Sequence, residues 1–137
     1  MLRLSSILLV DDNPTTNFLN QALIEQANLA SVVLVAENGH EALHLLDQSC
    51  QPGNPTCPVL ILLDLNMPVM NGFEFLEAYV QLPPAQHQAK VVILTTSMLP
   101  RDLERMQHLP VAGVLDKPLT TEKLEKLVAQ HFSSANL

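Results

Sequence analysis

Positive charge is scarce in this chain: seven Lys and Arg stand against fourteen Asp and Glu, a formal net charge of −7. That balance argues against a surface built for nucleic acid or an anionic membrane, and it suits a cationic ligand, a metal or a basic partner patch. Cysteine is equally sparse, with Cys50 and Cys57 flanking the Pro/Gly/Asn-rich stretch Gln51-Pro52-Gly53-Asn54-Pro55-Thr56. Two cysteines do not make a zinc site. A disulfide closing that small loop stays open as a reading, but a reducing compartment favours two free thiols. No apolar run approaches the ~18 residues of a membrane span. The apolar part of the opening ten residues is short and runs straight into Asp11-Asp12 without a small-residue cleavage site, unlike a signal peptide. A cytoplasmic protein without membrane insertion is therefore expected. Repeats and low-complexity tracts are absent, and charged residues make up 15% against 47% hydrophobic, the balance of a globular chain with a large core. A length of 137 residues fits one domain, so 1–137 is expected to form a single unit with no room for an output module.

What is present is an alternation of apolar runs and amphipathic stretches, the pattern of a βα repeat with a parallel sheet. The clearest run is Val59-Leu60-Ile61-Leu62-Leu63, five apolar residues without alternation, which reads as a strand buried on both faces. It ends on Asp64. Strands are also expected at 7–10, 32–35, 91–94 and 111–115. Asn13-Pro14 predicts an N-cap and a proline at the first helical position, opening a helix over 14–27 with Phe18, Leu19, Ala22, Leu23 and Ala27 at helical spacing. Asn38-Gly39 reads as a turn. Ala42, Leu43, Leu45 and Leu46 then form the apolar side of a second helix. A third runs from Phe73 to Leu82, stopped by Pro83-Pro84. A short helix over 101–108 is anchored by Leu103 and Met106, and Thr120 or Thr121 caps a last one with Leu124, Leu127, Val128 and Phe132 inward.

In this arrangement polar residues follow the strands: Asp11 and Asp12 after the first, Asp64 ending the third, Thr95 the fourth, and Lys117 just after the fifth. All converge at the carboxyl edge of the sheet, where open α/β folds bind ligands. Three carboxylates brought together repel one another unless a cation sits among them. Mg²⁺ takes such oxygen ligands while keeping several waters. A carboxylate beside Mg²⁺ and an ammonium can act as a nucleophile toward phosphorus.

Together, Leu8, Val10-Asp11-Asp12, Leu63-Asp64-Leu65-Asn66-Met67-Pro68, Asn71-Gly72, Leu94-Thr95-Thr96-Ser97 and Leu115-Asp116-Lys117-Pro118 resemble the motifs of response-regulator receiver domains, the CheY-like fold of two-component signalling. The resemblance spans nearly the whole chain. It implies a doubly wound five-stranded parallel sheet in the order 2-1-3-4-5 with five helices, and a signalling switch rather than an enzyme turning over an external substrate. Asp64 is then the phosphoacceptor, fed by a sensor histidine kinase or a phosphotransfer protein. Asp12 is the direct Mg²⁺ ligand, Asp11 an acidic neighbour acting through water, and the Asn66 backbone carbonyl a further metal ligand. Lys117 pairs with the phosphoryl group, Thr95 moves toward it, and Thr96 leaves room. Asn66 and Ser97 stand where they would affect the attacking water. A cis bond before Pro118 is also implied. One position departs: many receivers carry Tyr or Phe three residues before the lysine, where this chain has Val114. The aromatic half of the usual switch is therefore missing, and output to a downstream protein falls to the 95–100 loop or to another surface.

Other readings are weaker. An Asp-nucleophile phosphatase of the haloacid-dehalogenase type would carry a second Asp where Asn66 stands, and a flavodoxin-like flavin module needs a phosphate-cradling loop where Asp11-Asp12-Asn13 would repel phosphate. A degenerate receiver acting as a constitutive binding module is opposed by the presence of Asp12, Asp64, Thr95 and Lys117. His40-Glu41-Ala42-Leu43-His44 matches H-E-x-x-H, but no third ligand stands at telling spacing, and these residues read as the polar side of the second helix. His87, His108 and His131 are expected in solvent, and Met67 and Met70 in packing.

Overall fold

The structure, a computed structural model, describes residues 3–65, 67, 69–96 and 99–132. Five strands, β1 (Leu4–Val10), β2 (Ala30–Ala36), β3 (Leu60–Leu63), β4 (Lys90–Thr95) and β5 (Val111–Asp116), alternate with helices α1 (Pro14–Gln26), α2 (Gly39–Ser49), α3 (Gly72–Tyr79), α4 (Pro100–Met106) and α5 (Thr121–His131). The sheet is wholly parallel in the order β2-β1-β3-β4-β5. The expected fold is the observed one.

The central strands are largely apolar because each faces helices on both sides. Leu8, Val10, Ile61, Leu63, Val91 and Ile93 point into one core with Ala42 and Leu46 of α2 and Phe75, Leu76 and Tyr79 of α3. Ile7, Leu9, Leu60, Leu62, Val92 and Leu94 point the other way, onto Ile24 of α1 and Leu124, Leu127 and Val128 of α5. Successive residues of a strand thus serve opposite layers. β2, at the sheet edge, is only half-buried over 32–35.

Helix starts follow local chemistry. The Asn13 side chain accepts from the Thr15 and Thr16 amides, and Pro14 stands at the first turn of α1. Asn38, expected in a turn, instead caps α2 by accepting from the Glu41 amide. Asn71 and Glu74 form a reciprocal capping box on α3, and Thr120 caps α5. The third helix stops at Tyr79 rather than Leu82, and a 3₁₀ turn, Pro84–Gln86, follows it.

Three expectations need correction. Phe18 and Leu19 do not face the core: they are 70% and 59% exposed, and α1 packs through Asn17, Asn20 and Ile24 instead. Leu103 is half-exposed, leaving Met106, with Leu109, to join the core, because a seven-residue α4 has too little length to bury a full stripe. Cys50 and Cys57 are not free thiols but a disulfide. Cys50 caps the C-terminus of α2 and the chain turns back within seven residues, which brings the two Cα atoms to 4.5 Å; this proximity comes from the turn and is independent of compartment.

Just before β4, at the amino-terminal edge of the sheet, lies Tyr79, whose hydroxyl accepts from the Ala89 amide at 3.0 Å and lies 3.3 Å from the Ala89 carbonyl. Burial raises its pKa from the ordinary 10.0 to about 12, against a smaller opposing effect of the Ala89 bond. The unfolded chain would lose this proton first, so stability is full below pH 10 and falls as pH rises toward 12, by on the order of 2–3 kcal/mol. Tyr79 is the only tyrosine. Its phenolate absorbance is therefore expected to appear near pH 12 in the folded protein, with Tyr79→Phe showing a shallower alkaline loss of stability; a midpoint near 10 in folded protein would refute the assignment.

Candidate functional site

The polar residues converge at the carboxyl edge between β1 and β3, where the chain order reverses and a parallel sheet opens a crevice. Backbone bonds fix their relative positions. The Asp64 amide donates to the Val10 carbonyl at 2.9 Å, the Asp11 amide to the Ala36 carbonyl at 3.1 Å, and the Lys117 amide to the Thr95 carbonyl at 2.8 Å.

Asp11, Asp64 and Thr95 are buried, Asp12 is exposed and Lys117 half-buried. Carboxylate oxygens of Asp11, Asp12 and Asp64 lie within 4.8 Å of one another, the one such grouping of potential metal ligands among the described residues. Lys117 Nζ donates to Asp11 Oδ2 at 2.8 Å and stands 3.6 Å from Asp64 Oδ1. Asp11 Oδ1 accepts from the Asn13 amide at 2.9 Å. Both Asp11 oxygens are thus engaged by the protein, and Asp12 faces solvent at the rim. Burial alone would lower the Lys117 pKa, but its hydrogen bond to Asp11 and the charges of Asp11 and Asp64 outweigh that and hold it above the ordinary lysine value. Lys117 therefore stays an ammonium across the physiological range, and the stability it contributes is lost only as the pH climbs through that raised value.

Two features went unread in the sequence. A Cβ on Gly72 would lie 2.7 Å from the Asp64 carbonyl oxygen and 2.9 Å from Leu65 Cα, so only glycine lets α3 begin against the end of β3; the Gly72 amide donates to the Leu65 carbonyl there at 3.0 Å. Asn17 Nδ2 donates to the Asp11 carbonyl at 2.8 Å. The Asn71-Gly72 pair was a visible signal for the first, and an asparagine at a core-facing register would have been the signal for the second. Between Met67 and α3, Val69 is 78% exposed with φ of 69°, a left-handed conformation that is costly for a β-branched residue. The expected roles of Asn66 and Ser97 fall on residues outside those described. Lys117-Pro118 is cis. Val114 is 39% exposed on β5, and Thr96 is exposed. His40, Glu41 and His44 lie exposed on α2, outside the carboxylate grouping.

Residues 7–129 match the model of the response regulator receiver domain. The chain belongs to the response regulator receiver family. It is 33% identical to Response regulator Rcp1 of Synechocystis sp. over 122 residues, covering 89% of this chain and 82% of that protein. It is 30% identical over 126 residues to the signal transduction histidine-protein kinase BarA of Escherichia coli, covering 92% of this chain but 13% of that longer protein. The crystal structure of a two-component response regulator from Cytophaga hutchinsonii superimposes with a TM-score of 0.81 at 29% identity, covering 93% of this chain and 96% of that one. Among the described residues, no helix is long and apolar enough to cross a membrane.

Because the Gly72 contact is with backbone that cannot swing aside, Gly72→Ala is expected to destabilise the fold by roughly 1–3 kcal/mol. Denaturant unfolding measures it; an unchanged midpoint would show that α3 shifts freely and that the close approach is not a constraint.

Proposed function

We propose that this receiver accepts a phosphoryl group on Asp64 from the phosphohistidine of a histidine kinase or a phosphotransfer protein, and thereby switches a protein–protein contact. The observation that carries the reading is the grouping of Asp11, Asp12 and Asp64 within 4.8 Å, with Lys117 spanning Asp11 and Asp64. An all-oxygen donor set with one exposed carboxylate suits Mg²⁺, which keeps much of its water. Asp12, free at the rim, would be the direct ligand and Asp64 a second, with Asp11, committed to Lys117 and Asn13, acting through water. Bound there, Mg²⁺ would offset the negative charge of carboxylate and phosphoryl oxygens.

An Asp64 oxygen attacks phosphorus, the P–N bond breaks, and the electron pair leaves with the imidazole, forming an acyl phosphate. Lys117 neutralises part of the charge on the transferred group, and the Thr95 hydroxyl donates to one of its oxygens. The protein's contribution is positioning and electrostatics, as in other phosphoryl transfers. Beside Lys117 lies a cleft of about 370 Å³ bordered by Thr16, Leu19, Thr96 and Pro118, which none of the three carboxylates lines; access for a donor is instead from the rim, where Asp12 is exposed. Hydrolysis of the acyl phosphate restores Asp64, so the cycle resets without turnover of an external substrate. With Val114 in place of an aromatic, the change is heard through the loop after Thr95 or another partner surface, by shifting a two-state equilibrium.

Incubation with Mg²⁺ and acetyl phosphate, followed by intact mass, is expected to add one phosphoryl group, with none on Asp64→Asn or Asp64→Ala and none without divalent metal. Equal labelling of the Asp64 variants would overturn the assignment, and an unlabelled wild-type chain would favour the constitutive binding module. Val114→Tyr is expected to change binding of a downstream partner more than labelling; the reverse outcome would mean that position 114 belongs to the chemistry.

A further inference from the structure

α1 packs on the sheet through a face that carries two asparagines. Asn17 is 3% exposed and Asn20 7%, while Phe18 and Leu19 between them point outward. Apolar burial alone would favour the opposite choice of residues. Asn17 Nδ2 donates to the Asp11 backbone carbonyl at 2.8 Å. Its Oδ1 is buried with no hydrogen-bond partner among the described residues. Turning the amide over would not relieve it, since two carbonyl oxygens would then face each other at Asp11. A buried amide that strands its oxygen in order to present its nitrogen is placed for that donor. Its acceptor, the Asp11 carbonyl, belongs to the peptide whose N–H is that of Asp12, so the bond sets the plane from which the Asp12 side chain departs. The Asp11 carboxylate is itself held by the Asn13 amide and Lys117 Nζ.

We propose that Asn17 is a positioning residue: by orienting the Asp11–Asp12 peptide, it presents the Asp12 carboxylate to a cation beside Asp64. The proposal rests on the reading of the acidic grouping as a Mg²⁺ site. Asn20, one turn further on, serves as the control, because it is also a buried amide but makes no hydrogen bond to the acidic residues among those described.

The experiment is calorimetric titration of the metal-free full chain with Mg²⁺ for wild type, Asn17→Leu and Asn20→Leu, with thermal midpoints and backbone ¹⁵N shifts recorded before metal is added. Loss of an outer-shell partner is expected to weaken Mg²⁺ binding by about tenfold in Asn17→Leu. In Asn20→Leu the affinity is expected to be unchanged. The Asp12 amide shift should move in the first variant and not in the second, before any metal is present. Wild type that binds no Mg²⁺ would overturn the cluster reading and this proposal together. Wild type that binds, with Asn17→Leu binding equally well, would overturn the role of Asn17 alone. Equal weakening in both variants would assign the effect to packing and also overturn it. Should Asn17→Leu fail to fold, Asn17→Ala, which adds no bulk, carries the same comparison.

Discussion

The ion pair of Lys117 with Asp11, at 2.8 Å and largely withdrawn from solvent, is the contact on which the carboxyl edge depends. It joins residues 106 positions apart and draws the end of β5 toward the end of β1. Without a cation, Asp11 and Asp64 would be two buried carboxylates within a few ångströms, an arrangement that low dielectric makes costly. Lys117 also lies 3.6 Å from Asp64, so one ammonium serves both acids. The chemistry proposed for Asp64 depends on the same balance, since a transferred phosphoryl group adds negative charge beside a lysine already placed to meet it.

The sheet is what makes this balance reproducible. Asp11 and Asp64 hang on adjacent parallel strands, tied by the Asp64 amide to the Val10 carbonyl, and Thr95 and Lys117 are tied by a second backbone bond. Side chains on such a frame inherit its rigidity, while the loops beyond it carry the variable parts. Gly72 lets α3 start hard against the Asp64 strand end, and Asn17 reaches from α1 to the Asp11 carbonyl. Both helices therefore brace the site from opposite layers. The opposite edge carries different work: the Cys50–Cys57 disulfide ties α2 to the approach to β3, and Tyr79 bonds the segment leading into β4.

On the side of β5 the chain departs from the usual aromatic switch. Val114 is partly exposed, as are Leu99 and Leu103 around α4, and α4 itself buries no residue. A short helix with few core contacts has little to hold it against displacement. The movement proposed around Thr95 would have such an element to act upon even without an aromatic to swing.

Strand count, helix count and the acid–threonine–lysine constellation were legible in the residues, because a buried parallel strand is largely apolar and a ligand edge must be polar just beyond it; the strand order followed only from the resemblance to receiver domains. Asn13 and Thr120 announced their helices because capping is a local hydrogen bond between neighbours in sequence. Rotation of α1 was not legible: Phe18 and Leu19 keep helical spacing with Leu23, and only the docked sheet shows that Asn17 bonds Asp11 and takes the inward position. Nor was the pairing of Cys50 with Cys57, which turns on the path of a loop rather than on composition. What the sequence determined by itself was periodicity, caps and the identity of the charged groups, all set within a few residues. What only the tertiary structure decided was which face of α1 packs, how closely α3 approaches Asp64, and which oxygen each charge meets, because those depend on contacts between segments that sequence spacing does not encode.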